Sequence, residues 1–482
     1  MRRIALYITM CILFPLYLTA QENEKPNVLM IAVDDLNDWV GVLGGHPQVK
    51  TPNIDKLANQ GILFTNAHCQ APICGPSRAS LLTGMYPTTT GNYVQLEDTV
   101  IKKANTVVQE AIYLPDYFEQ NGYTSIGVGK IFHRGDDQHV FDVYGDKFDT
   151  YGPYPKKHFN YNPEWFGKPK GTVTDWGKFP EKDRETGDFQ SAKWAVNQLQ
   201  QKHDKPFFMA VGFVRPHVPW YVPAKWFTPF PINDIVLPPY KKDDLQDVPT
   251  LGRQIADVPM MPTTEELIQR GQWKEAVQAY LACIYFVDAQ IGKVLNALEE
   301  SVYADNTIVV LFSDHGYHLG EKNRFAKQAL WTRDTRSVLA FKLPKNTGSK
   351  VTNEPVQLVD IYPTLLELAG LTENKKNDGH SLVPLMGNTY VKWNHVAITS
   401  YGKNNIAVTD KKYKFIQYED GTQELYNLVD DPNEWNNIAE LDTSEQIIKK
   451  LIKEIPKKQA PLSKYCDYKV NSYFKKLDKA SK

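Results

Sequence analysis

"NVLMIAVDD", Asn27 to Asp35, is the stretch whose reading decides the fold. An unbroken apolar run this short, closed at once by two aspartates, reads as a buried strand that delivers carboxylates at its end. Three more runs share the pattern: "TSIGVGKIFH" leads into Lys130 and His133, "PFFMAVGFVRPH" into His217, and "TIVVLFSDHG" into Asp314 and His315. Helical patterns lie between them, as from Glu275 to Glu300, where Val277, Tyr280, Leu281, Ile284, Ile291, Val294, Leu295 and Leu298 recur at helical spacing. Strands alternating with helices predict an α/β fold on a mostly parallel sheet, and such sheets bind ligands beyond the carboxyl ends of their strands. The four polar groups are therefore expected at one edge, although any one of them alone reads as a loop residue or cap.

The chain has 482 residues, enough for one large domain and a smaller one. Its 55 basic and 56 acidic residues nearly cancel, which excludes a cationic field for nucleic acid and leaves anionic substrates to be recognised locally. "MRRIALYITMCILFPLYLTA", with Arg2 and Arg3 ahead of an apolar run, reads as a signal peptide over residues 1–20 and implies export to the periplasm or medium. A retained membrane anchor is the alternative, but the run is short for a span and contains Pro15. The expected organisation continues with a catalytic domain over 21–385 and a C-terminal subdomain of antiparallel sheet and helix over 386–482. Within the latter, "KYKFIQYEDGTQELYNL" predicts a hairpin turning near Asp420-Gly421, followed by a Lys- and Tyr-rich helical tail from about Ser444. "YGPYPKKHFNYNPEWFGKPKG", from Tyr151, reads as a long surface loop that shapes a binding site.

Beyond the leader four cysteines remain, Cys69, Cys74, Cys283 and Cys466, too few for a disulfide framework and not spaced as a zinc site. Cys74 stands out. In "PICGPSRASLLTG", Pro76 suits the first turn of a helix and Gly84 its end, so Cys74 falls at a helix N-terminus, where backbone N–H groups favour a thiolate. A buried, inert cysteine is the competing reading.

The same stretch resembles the signature of the type I sulfatases, in which the cysteine of a Cys-x-Pro-Ser-Arg core is oxidised to formylglycine. The core here is Cys74, Gly75, Pro76, Ser77 and Arg78, with Gly75 where Ser, Thr or Ala is more usual. "VDDL", "GKIFH", "RPHVPW", "SDHGYHLGEKNRFAK" and "DIYPTLLELAGL" are similar to the iduronate-2-sulfatase branch, and the resemblance runs from about Lys25 to about Asn436. It implies an alkaline-phosphatase-like fold, a sulfatase activity, and a formylglycine-generating or sulfatase-maturating enzyme as partner.

Sulfate ester cleavage needs a nucleophile at sulfur, neutralisation of the sulfate oxygens and a proton for the departing alcohol. By the resemblance, formylglycine from Cys74 is hydrated to a diol; one oxygen attacks sulfur, and the second hydroxyl later expels sulfate. The resemblance further implies one Ca²⁺ on Asp34, Asp35, Asp314, His315 and modified Cys74; carboxylate oxygens suit that ion, while imidazole is an awkward ligand for it. Arg78 braces the diol and metal ligands, Lys130 and His133 bind sulfate and deprotonate the second hydroxyl, and His217 with Lys327 serves the leaving oxygen. Arg215, Trp220, His318 and Arg324 lie close by in sequence and are candidate sugar contacts, Arg215 as partner of a sugar carboxylate. The implied substrate is a sulfated oligosaccharide, with sulfated rhamnose of algal ulvan level with 2-O-sulfated uronate of glycosaminoglycans, attacked at chain ends. A phosphonate or phosphodiester hydrolase on the same fold, and an inactive carbohydrate-binding homologue, are the alternatives. No nucleic acid partner and no stable membrane insertion are expected.

Overall fold

Val28, Met30 and Ala32 of the first strand face one hydrophobic core, and Leu29, Ile31 and Val33 face another. A strand covered on both sides has no polar face to alternate with, so its sequence reads as a continuous apolar run. The computed structural model describes residues 25–133, 139–145, 151–163, 165, 173–345 and 348–480; the predicted signal peptide and part of the Pro- and aromatic-rich stretch lie outside them.

The main sheet has eight strands: β1 (Asn27–Val33), β2 (Ile62–Phe64), β3 (Thr124–Gly129), β4 (Val143–Tyr144), β5 (Phe207–Phe213), β6 (Thr307–Ser313), β7 (Leu339–Lys342) and β8 (Lys350–Thr352), in the spatial order β8-β2-β7-β6-β1-β5-β3-β4. The four predicted strands are β6, β1, β5 and β3, adjacent and mutually parallel, so all four polar extensions leave the same edge. Register makes the edge sharp: Val33 pairs with both Phe213 and Ser313.

Helices cover both faces. On one side pack α1 (Pro52–Asn59), α3 (Gly187–Leu199) and α4 (Trp273–Glu299), the last matching the periodicity read from Glu275 onward. Although α4 is long and apolar enough to cross a membrane, it is largely buried against the sheet. On the other side lie α2 (Cys74–Thr83) and the helix Ile361–Leu368. The C-terminal segment forms an antiparallel sheet of β9 (Ala397–Ser400), β10 (Ile406–Thr409), β11 (Tyr413–Gln417) and β12 (Gln423–Asn427), and the predicted hairpin joins β11 to β12. Ala407 and Ile416 join the core beside α2, while Val408, Phe415 and Leu425 form a small core of their own with Leu451.

The tail departs from expectation. Helix is confined to α5 (Glu445–Leu451), α6 (Ser472–Ala480) and short 3-10 turns. The chain between is drawn out because it satisfies its polar groups on the catalytic body instead: Ala460 accepts from Tyr93 Oη at 2.9 Å, Leu96 bridges Cys466, and Asn471 Nδ2 donates to Ile255 O at 2.9 Å.

Two glycines let the strand ends deliver their side chains. Gly129 turns out of β3 with φ 77°, and Gly212 packs directly on the Lys130 backbone, so a Cβ at Gly212 would land on the Lys130 carbonyl. Backbone cannot swing aside as a side chain can. Gly212→Ala is therefore expected to cost about 3 kcal/mol or more, seen as a lowered urea midpoint; unchanged stability would show that the two strand ends separate readily.

Candidate active site

The first residue of α2 is Cys74, 1% exposed, preceded by Ile73 in extended conformation. Its Sγ lies 2.9 Å from Lys327 Nζ, 3.3 Å from His315 Nε2 and 3.9 Å from Asp35 Oδ1. Burial pushes this thiol up, but Lys130, Lys327 and His315 outweigh it and hold the thiol well below its ordinary range. At the other described cysteines burial outweighs the single cation nearby, Lys414 at Cys69 and Arg215 at Cys283: it raises Cys69 well above the usual value, Cys283 to about 12 and Cys466 to about 11. All four are free, so Cys74 differs by its surroundings and not by its redox state.

Asp34 and Asp35 follow β1, and Asp314 and His315 follow β6. The ligand atoms of Asp34, Asp35, Cys74 and His315 all lie within 4.8 Å of one another. Asp314 sits beside them, its Oδ1 3.6 Å from His315 Nε2, while Asp314 Oδ2 accepts from Arg78 Nε at 2.8 Å. Burial pushes Asp314 up to about 6, against the pull of Arg78 and His315. Two buried carboxylate oxygens, Asp34 Oδ1 and Asp35 Oδ2, have no hydrogen-bond partner. Carboxylate oxygens orphaned in a water-poor centre fit a divalent cation, for which Asp34 and Asp35 supply hard oxygen ligands and His315 and Cys74 softer ones.

The cations complete the centre. Lys130 contacts Asp34 Oδ2, and Lys327 Nζ donates to Asp35 Oδ1 at 2.5 Å. His217 Nε2 is 3.8 Å from Asp35 Oδ2, with its Nδ1 2.6 Å from the Val218 carbonyl. His133 is anchored through its backbone N–H on Asp98 Oδ1 at 3.0 Å, and burial lowers its pKa. Ten residues read from five separate motifs thus converge on one point: Asp34, Asp35, Cys74, Arg78, Lys130, His133, His217, Asp314, His315 and Lys327.

Residues 26–371 match the family model described as Sulfatase, and 320–461 match one described as N-sulphoglucosamine sulphohydrolase, C-terminal. This chain belongs to the sulfatase family. A protein named Sulfatase from Formosa agariphila is 46% identical over 94% of this chain and 91% of its own length. Iduronate 2-sulfatase of Mus musculus is 32% identical over 72% and 69%, and an Ulvan-active sulfatase of Formosa agariphila 28% identical over 94% and 84%. A solved structure in complex with D-glucosamine-2-N,6-O-disulfate shares the fold, with a TM-score of 0.69, 22% identity, and coverage of 89% of this chain and 96% of that one. The protein is accordingly an enzyme that hydrolyses sulfate esters.

Two neighbours in this sulfatase went unread in the sequence because they arrive from irregular segments. Tyr151 places its ring 5.0 Å from Lys130 Nζ and 5.3 Å from the His217 ring. The loop read as shaping a binding site thus begins inside this one. Gln95 accepts from Gly75 N–H at 3.0 Å and contacts His133 Nε2, tying α2 to the histidine. A Cβ at Gly75 would stand 2.6 Å from Gln95 Oε1, which accounts for glycine where the family signature usually carries a larger residue.

The four candidate sugar contacts divide. Arg215 is buried and spends its donors on the carbonyls of Tyr221, His217 and Tyr151, so it braces the loop and is not free for a carboxylate. Trp220 is a core residue whose Nε1 donates to Pro216 O at 2.7 Å, and stacking on a sugar is closed to it. His318 is buried, its Nδ1 2.5 Å from Asp334 Oδ1. Arg324 alone keeps buried donors, Nε and Nη1, without partners.

The Gly75–Gln95 pairing is testable by a double-mutant cycle. Gln95→Leu is expected to lower kcat on an aryl sulfate about 10- to 100-fold, with KM little changed. Gly75→Ala displaces Gln95 and should cause a similar loss, with no further loss in the double variant. Additive losses would show that the two residues act separately.

Proposed function

We propose that this sulfatase removes sulfate from oligosaccharides, with Cys74 oxidised to formylglycine as nucleophile and one Ca²⁺ held by Asp34, Asp35, Asp314, His315 and modified Cys74. The observation that carries this reading is the Cys74 side chain set at a helix N-terminus between Lys327 and His315, against two orphaned carboxylate oxygens. The thiol sulfur stands where the oxygens of the hydrated aldehyde would be.

Bound there, calcium would acidify the attacking oxygen and draw negative charge from the sulfate. The protein does the rest. Lys130, Lys327 and the α2 N-terminus neutralise the sulfate oxygens. Arg78 fixes Asp314, so the carboxylates cannot turn toward solvent. His133, held by Gln95 and Asp98, is placed to take a proton beside Cys74, and His217, facing Asp35 from the other side, to give one to the leaving alcohol. Burial of the whole cluster excludes competing water.

The names of the relatives, which include iduronate and ulvan substrates, support a sulfated carbohydrate. Near-neutral total charge supports a pocket for chain ends over a groove for a long polyanion. The N-terminal "MRRIALYITMCILFPLYLTA" supports export, where such polymers are met.

Peptide mass across Cys74 is expected to show thiol-to-aldehyde oxidation in active preparations, and Cys74→Ala to fold but lose turnover; activity from a preparation carrying only thiol would sink the nucleophile. Chelation is expected to abolish turnover and lower Tm, with Ca²⁺ restoring both, because an ion bound only by the native state stabilises it. Full activity after exhaustive chelation would remove the metal from the reading.

A further inference from the structure

A cavity of about 520 Å³ opens between the segments around Arg253–Glu266 and Lys322–Trp331, with Trp165, Met261 and Pro262 among its walls and Arg324 and Trp331 lining it. Its size falls in the range that encloses a small ligand, and the aromatic faces of Trp165 and Trp331 beside polar and charged side chains suit a sugar ring. It is linked to the reaction centre through one residue: Arg324 Nη2 donates to the Lys327 carbonyl at 2.6 Å, and Lys327 Nζ reaches Cys74 Sγ at 2.9 Å.

Arg324 is the cation left over; of the two carboxylates that also line the cavity, Glu266 accepts from Thr263 N–H at 2.7 Å and Asp257 acts on Arg324 through space. Arg324 is only 7% exposed, and neither Nε nor Nη1 has a partner. The carboxylate of Asp334 stays 3.8 Å from Nη2 and is engaged by His318 and by the Ala329 N–H. The other cations of the pocket are committed, Lys322 to Asp244 and the Glu434 carbonyl, Arg253 to the Leu245 carbonyl and Thr250. A buried guanidinium with idle donors is costly unless an oxyanion completes it, and its planar fork matches a carboxylate.

We propose that this pocket is the subsite for the saccharide unit next to the sulfated one, and that Arg324 selects a unit bearing a carboxylate. The proposal rests on the carbohydrate reading above and assigns to Arg324 the role that sequence adjacency suggested for Arg215.

The test uses the matured enzyme with three probes: 4-nitrophenyl sulfate, sulfated uronate-containing tetrasaccharides from lyase digestion of ulvan and heparan, and the same tetrasaccharides after carboxyl reduction. The wild type is expected to favour an acidic tetrasaccharide over its reduced form by about tenfold or more in kcat/KM. Arg324→Gln should bring that ratio to about one, whatever it does to absolute rates, and Arg324→Lys should restore part of it. A second variant leaves the charge in place: Pro259→Trp, from the exposed rim, should lower tetrasaccharide turnover relative to 4-nitrophenyl sulfate by about tenfold. Equal hydrolysis of acidic and reduced tetrasaccharides by the wild type, a ratio retained in Arg324→Gln, or no relative loss in Pro259→Trp would each overturn the subsite while leaving the carbohydrate reading intact. Hydrolysis of 4-nitrophenyl sulfate with no release from any saccharide would overturn the carbohydrate reading and the subsite with it.

Discussion

One guanidinium ties the catalytic edge together. Arg78 holds Asp314 through Nε at 2.8 Å, approaches Asp34 at 3.5 Å, and donates to the carbonyls of Lys130 and Ile131. Those groups follow β6, β1 and β3, so a side chain from α2 fixes three strand ends relative to Cys74 one helical turn away. In a buried site charges persist only when paired. Arg78, Lys130, Lys327 and His315, which against burial is raised to about 9 by Asp314 and Cys74, stand against Asp34, Asp35, Asp314 and the Cys74 thiolate, four cations to four anions, all buried. The protein's own charges therefore balance, and a divalent cation added to the orphaned oxygens would leave the centre positive toward a sulfate ester.

The carboxyl edge is built mostly from parallel strands whose signal is continuous hydrophobicity, with the functional residue placed within a few positions of each strand's end. That is why Asp34, Lys130, His217 and Asp314 were legible: topology converts a local pattern into proximity. Cys74 and Arg78 were legible for another reason, since both belong to one short helix. Gln95 and Tyr151 carry no such signal, because each reaches the centre from an irregular segment whose path is set by distant contacts. Arg215 and Trp220 show the opposite error. Nearness to His217 along the chain says nothing about direction, and both side chains turn inward, one to brace carbonyls and the other to fill the core. The tail misled through composition: Lys and Tyr tolerate helix, but hydrogen bonds to Tyr93 and Ile255 hold the chain extended.

The C-terminal sheet is more than an appendage. Glu424 on β12 accepts from Trp331 Nε1 at 2.9 Å and from the hydroxyls of Tyr418 and Tyr426, while Lys322 reaches the Glu434 carbonyl. The floor beside Arg324 is thereby anchored to strands laid down nearly a hundred residues later, and burial with several donors on one carboxylate keeps Trp331 in one orientation.

The path of the tail carries a consequence for how the molecule is made. Asp467 N–H donates to the Gln95 carbonyl at 2.6 Å, next to the bridge between Leu96 and Cys466. A ribosome releases the β1 aspartates and Cys74 long before it releases Cys466. The segment that carries Gln95 therefore waits for residues translated far later in the chain, and a nascent chain can assemble its buried charges while this clasp is still missing. Prematurely terminated chains would keep the signature intact yet lack the fastening on which His133 depends.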